Sequence, residues 1–302
     1  MARFKTRTDR VLDICVWTAP ALVSGLFLWL VGDLAVRGCG AFWPGESEAS
    51  GFFRLTEPLE LVIKFLTGAP ERAGRSGGIG PILVSTGLIL MVCMSMAIPF
   101  GLGTALLLSE FVAPQNRFGR IVRRSLDVLA GVPSIVFGLF GNAVFSQFLG
   151  LRFSILSGGL TLACMVLPLL IRSTEEALNA VCPTQRHAAT ALGFSRWATV
   201  FQIILPQATP GVVVGLVLGI GRALAETAAL IFTSGYVDRM PRSVFDSGRS
   251  LSIHIYDLSM NVAGGNQNAY ASALVLITVL ALINAATNWL ATRFLQREAG
   301  NF

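Results

Sequence analysis

Residues 208–233 read ATPGVVVGLVLGIGRALAETAALIFT, an apolar run that carries two opposite charges, Arg222 and Glu226, within it. About 20 apolar residues cross a bilayer core. A charge at that depth costs roughly 2.5–3.5 kcal/mol on insertion scales, so it persists only with a partner or a task. In one continuous helix the four-residue spacing puts both side chains on one face, where they neutralise each other. Gly211, Gly215 and Gly219 fall on that face too, a ladder of small residues that lets a second helix approach. The run is expected to face protein or a water-filled path, not lipid.

The rest of the chain has the same character. Of 302 residues, 53% are hydrophobic and 13% charged, with mean hydropathy +0.67, whereas soluble domains carry about 25% charge. Apolar runs at 14–36, 81–108, 126–149, 154–171, 208–233 and 270–291 predict an all-α integral membrane protein of six transmembrane helices. Pro99 with Gly101 and Gly103, the Gly131-Val132-Pro133 turn and Pro168 interrupt three of them. Broken helices at membrane depth are tolerated where they are buried in protein or line a cavity, so a bundle around a path is expected.

The net charge of +6 is a topology signal. Arg3, Lys5, Arg7 and Arg10 precede the first run, Arg117, Arg120, Arg123 and Arg124 follow the second, Arg172, Arg186 and Arg196 follow the fourth, and Arg293 and Arg297 follow the sixth. Arginine and lysine collect on the cytoplasmic side, which places both termini there. No nucleic-acid partner is expected; membrane lipid is. The first run is too long for a signal-peptide core and is read as a retained anchor. Only Cys39 of the five cysteines reaches the oxidising side, so no intrachain disulfide is expected. His187 and His254 fall on opposite sides and share no metal; His254 is read as a surface residue.

Residues 1–80 form an N-terminal segment, a first span and an external loop; 81–302 form a core of five spans. Within the loop, 57–67 has helical spacing, and GRSGGIGP at 74–81 reads as flexible. Asp127 is placed to pair with Arg123 or Arg124. Ser134, Asn142 and Thr227 are candidate polar groups in the path. The segment 172–207 is the longest cytoplasmic connection. It reads as two short helices joined at Gly193, a helix stop, with the second closed by Pro206.

That connection carries a spaced pattern: His187, Ala188 and Ala189, then Gly193 three residues on, then nine residues, then Ile203, Leu205 and Pro206. It resembles the signature of ABC-importer permeases without a gap, except that His187 stands where the family has Glu. AGVPSIVFGLFG at 130–141, GRALAETAALIFTSG at 221–235 and HIYDLS at 254–259 are similar to the A-type permeases of bacterial phosphate-specific (Pst) importers, with Ala225 in place of a glycine. The resemblance covers about residue 82 to the C-terminus.

What this resemblance implies is a type I ABC-importer permease fold, with 172–207 as a loop seated in a separate ATP-hydrolysing subunit. The chain has no GxxxxGK[ST] phosphate loop, so it is not itself the ATPase by that route; the resemblance implies no cofactor bound by this chain, with ATP and Mg used by the partner. The implied partners are two ATPase subunits, a second homologous permease, a periplasmic phosphate-binding protein and inorganic phosphate. Arg222, Glu226 and Thr227 are the implied substrate path. Guanidinium suits a tetrahedral oxyanion, so either Arg222 contacts the anion or it is a structural partner of Glu226. Other oxyanions (molybdate, tungstate or sulfate) fit the same chemistry. An ion-coupled transporter or channel without an ATPase is the reading of a different class, and the gap-free loop pattern argues against it.

Overall fold

The computed structural model describes residues 7–40, 57–113 and 115–299; Arg3, Lys5 and most of the first half of the external loop lie outside them. Among the described residues, five helical stretches are long and apolar enough to cross a membrane. They are Val16–Cys39 within α1 (Arg7–Cys39), Gly80–Phe111, Ile155–Asn179 (α6), Arg196–Ala225 and Asn266–Thr287 within α12 (Asn266–Ala299). The second of these is α3 (Gly80–Leu106) continued by a π turn, Leu107–Phe111.

The predicted run 126–149 is not one helix. The helix α4 (Arg117–Ala130) and the stretch Ser134–Phe148, formed by α5 (Ser134–Gly141) and a π turn, meet at 104°. Pro133 cannot donate to a ladder and disfavours helical backbone at Val132. The Gly131 and Val132 amides close short turns onto Val128 and Leu129 instead. Counting this bent pair as one crossing gives six. Pro99 and Pro168, by contrast, lie inside the continuous helices α3 and α6.

The helix α6 is the hub, packed between α3 and the later span. Lipid is as apolar as leucine, so helices in a membrane associate by close packing of small residues more than by a hydrophobic drive. Gly101 meets Leu170 so closely that a Cβ there would lie 2.7 Å from Leu170 Cδ2. Around these approaches one core joins Ile89, Phe137, Leu162, Val166, Leu230 and Ile253, and a second joins Leu108, Leu126, Ile171, Leu178 and Ile204. In contrast, α1 stands at the edge, its apolar side chains exposed and its main contacts on α12.

The segment 57–67 is a helix, α2 (Glu57–Thr67). Its Phe65 is buried against Ile79, Ile82, Leu251 and Ala271. GRSGGIGP is ordered rather than flexible. Strands β1 (Pro70–Glu71) and β2 (Ser76–Gly77) pair antiparallel. Arg72, Ala73 and Gly74 between them all have positive φ. Gly78 and Gly80 are glycines because backbone presses on them: a Cβ at either would come 2.5 Å from the carbonyl oxygen of Phe65 or Thr67.

Candidate functional site

Arg222 sits in the last turn of α9 (Leu205–Ala225), and the helix ends before it reaches Glu226. Arg222 and Glu226 therefore do not share a helix face, and the expected neutralising pair is not made. Glu226 has extended backbone, φ −77° and ψ 126°. Its carboxylate accepts from the Ala229 amide at 3.2 Å, and its carbonyl accepts from the Ser252 hydroxyl at 2.6 Å. With side chain and carbonyl both satisfied off the helix axis, breaking the α ladder costs little. Thr227 follows as the N-cap of a short helix, α10 (Ala228–Ile231), that packs on α5. A Cβ at Gly138 of α5 would lie 2.9 Å from Ala229 Cα, which fixes how near the two can come.

The Arg222 guanidinium is exposed on this single chain and has no ion-pair partner among the described residues. At 1.5 Å per residue it lies roughly 24 Å along the helix from Pro206. An unneutralised guanidinium at a broken span can donate two parallel hydrogen bonds to an oxyanion.

The small-residue ladder of α9 lies against α6. A Cβ at Gly211 would come 2.6 Å from Ala177 Cβ, and one at Gly219 would come 2.8 Å from Val166 Cγ1; Gly215 faces Ser173.

At the far end from Arg222, the connection is shorter than 172–207, because α6 runs on to Asn179. Arg172 is thus a helix residue. The helix α7 (Pro183–Ala191) follows, with Pro183 at its first position and Gly193 just beyond it at φ +79°. On α7, His187 and Ala188 are exposed and Ala189 is buried. The next helix is not closed at Pro206. From α8 (Arg196–Thr199) it passes through a π turn, Val200–Ile204, which carries Ile203, and continues as α9. The Leu205 amide bonds to Val200, five residues back. That wider turn lets Leu205 and Pro206 enter the span without ending it.

Charged side chains bind this end together. Arg123 donates to Glu175 at 2.7 Å and to the Leu108 carbonyl at 2.7 Å. Arg172 pairs with Asp127, which corrects the expected Arg123 or Arg124 partner. Arg186 of α7 donates to Glu110 at 2.8 Å and to the carbonyls of Leu178 and Val181. A cavity of about 270 Å³ between Glu110, Arg186, His187, Thr190 and Arg196 opens beside α7. Glu110 and Glu175 were missed in the sequence; the available signal was an acid at the end of each of two long apolar helices.

His254 is buried, only 1% exposed, not a surface residue. It lies on α11 (Leu251–Met260), between Gly74 of the hairpin and Arg249, whose guanidinium pairs with Asp257 at 3.1 Å. Burial, with Arg249 adding to it, pushes the imidazole down to about 4.

The chain belongs to the family of binding-protein-dependent transport system inner membrane components, whose sequence profile matches residues 97–299. It is 32% identical over 258 residues to the probable ABC transporter permease protein YqgI of Bacillus subtilis, covering 80% of this chain and 87% of that one. It is 37% identical over 223 residues to the phosphate transport system permease protein PstA of Mycobacterium leprae, covering 72% and 73%. Among solved structures, the MetNI methionine ABC transporter superimposes with TM-score 0.58 at 16% identity, covering 72% of this chain and 94% of that chain. A bacterial alginate ABC transporter in complex with its pentasaccharide-bound periplasmic protein does so with TM-score 0.60 at 18% identity, covering 93% and 96%. At these identities the likeness is one of fold: the all-α type I ABC-importer permease fold. The protein is a multi-pass inner-membrane transporter component, not an enzyme.

Proposed function

We propose that this chain is a permease subunit of an ATP-driven importer of inorganic phosphate, with Arg222 as its phosphate contact. The observation that carries the residue assignment is the exposed guanidinium at the α9 break with no ion-pair partner among the described residues. The phosphate transport permease named among its relatives supports the choice of anion. Glu226 does not neutralise Arg222; it holds the break open by capping α10, and Thr227 beside it offers a hydroxyl to the path.

The helix α7 faces the cytoplasm with both termini and seats on a partner ATPase, one of two that use ATP and Mg. A second, homologous permease completes the path, and a periplasmic phosphate-binding protein delivers the anion to the opposite face. His187 replaces an acidic docking contact with an imidazole, so α7 seats by shape and by its exposed His187–Ala188 surface more than by charge, while buried Ala189 anchors the helix to the bundle. Transport requires that the two access states hold the anion with different affinity, and Arg222 supplies that difference.

The test is phosphate uptake into proteoliposomes holding the assembled importer, with ATPase activity measured alongside. Arg222→Gln is expected to abolish uptake with assembly and ATPase retained, and sulfate or molybdate in excess is expected not to compete. Normal uptake by the variant rejects the role of Arg222, and uptake of molybdate in preference to phosphate rejects the anion.

A further inference from the structure

We infer that α4 lies flat in the lipid headgroup layer at the α7 end and binds anionic phospholipid. The 104° bend turns α4 sharply away from Ser134–Phe148, which packs among α6 and α10. At 100° per residue its side chains then sort into three faces. Gly119 and Leu126 are buried and Val122 and Arg123 half-buried, all on one face. This face is fixed to the bundle by Arg123 on Glu175 and on the Leu108 carbonyl.

The second face carries Phe118, Ile121 and Val128, which are 57%, 63% and 73% exposed, together with Leu129. Arg117, Arg120 and Arg124 make the third; all are exposed, and none has an ion-pair partner among the described residues. Asp127, the one acid on that face, is taken by Arg172 of α6. Three free guanidiniums in a row therefore border an uncovered apolar strip.

An apolar strip flanked by basic residues is the pattern of a helix in the interfacial plane, its apolar face at the acyl boundary and its cations among headgroups. Charge complementarity selects the lipid: a net-negative headgroup gives the three arginines a counter-charge, whereas a zwitterionic one offsets its phosphate with its own cation. The pairs Arg123–Glu175 and Arg172–Asp127 join this helix to α6, so lipid bound on the outer faces also steadies the bundle. The inference holds whichever anion the importer carries.

Benzoylphenylalanine in place of Phe118 tests it directly. The assembled importer is reconstituted in vesicles containing equal amounts of phosphatidylglycerol and phosphatidylcholine, illuminated, and its adducts are identified by mass spectrometry. The expected result is a phosphatidylglycerol adduct several-fold above the phosphatidylcholine adduct. The preference disappears when Arg117→Gln, Arg120→Gln and Arg124→Gln are combined. An adduct to another protein chain, an absence of lipid adduct, or equal yields with the arginines intact would overturn it.

Discussion

Arg186 donates to the Glu110 carboxylate at 2.8 Å, and through the same guanidinium it also holds the carbonyls of Leu178 and Val181. One side chain on α7 thus ties together the end of the α3 span and the end of α6. On the proposed seating of an ATPase on α7, a push there would reach both spans through this point.

Replacing Glu110 with Gln keeps the shape and removes the charge. Breaking such a shielded, charge-assisted contact costs about 1–3 kcal/mol, too little to prevent assembly while Arg186 keeps its two carbonyls. The expected outcome is retained ATPase activity with several-fold less phosphate imported per ATP. Arg186→Ala also strips both carbonyls and is expected to lower assembly itself. The ratio of uptake to hydrolysis in proteoliposomes separates the two, and an unchanged ratio for the glutamine variant removes Glu110 from the coupling route.

The glycine ladder gives a prediction with a built-in control. Gly211 leaves 2.6 Å between a new Cβ and Ala177 Cβ, while at Gly221 the nearest neighbour, Leu280 Cδ2, is 3.9 Å away. Overpacking a close helix contact costs about 1–3 kcal/mol. Gly211→Ala is expected to lower the thermal unfolding midpoint of the detergent-solubilised complex, and Gly221→Ala to leave it nearly unchanged. Equal midpoints for both would show that α6 and α9 do not approach as described.

Much of this architecture was legible because bilayer crossing is written in length and hydropathy. The long spans, the helix 57–67 and Gly193 as a helix stop follow from composition and spacing alone. What escaped was local competition for backbone groups. The run 208–233 reads as one helix until Glu226 caps Ala229 and Ser252 takes its carbonyl, a partner 26 residues away that no periodicity reveals. Pro206 reads as a stop until the π turn before it supplies the missing spacing. The glycines of 74–81 read as loose because a sequence shows their freedom and not the backbone pressed against them. His254 reads as exposed because the hairpin that covers it is remote in the chain.

Cys182 reports on α7 from outside. It is exposed just before the helix, and its thiol lies 3.0 Å from the Thr184 hydroxyl, which holds it below the usual thiol range. More thiolate at neutral pH means faster alkylation. Maleimide is expected to label Cys182 readily in the isolated permease, more slowly after Thr184→Val, and poorly once the partner ATPase is seated. Buried Cys93 should stay unlabelled throughout. Undiminished labelling of Cys182 in the assembled importer would place the ATPase elsewhere.

His254 makes the opposite end of the protein sensitive to acid. Above pH 6.5 the imidazole is neutral whether the chain is folded or not, and it adds no pH dependence. Between 6.5 and about 4 the unfolded chain takes up a proton that the folded one refuses, because burial and Arg249 disfavour the cation. Stability therefore falls as pH drops through this window and levels off below about 4, where the folded form is protonated too. Asp238 and Asp257 pull the other way and limit the effect. The loss amounts to about 2 kcal/mol between about pH 7 and about pH 5. His254→Gln keeps a polar side chain of similar reach without the titration, so its unfolding midpoint is expected to drop less over the same interval. Parallel acid profiles for the two proteins would mean that the fold does not shift His254, as when water reaches the ring beside the Gly74 turn.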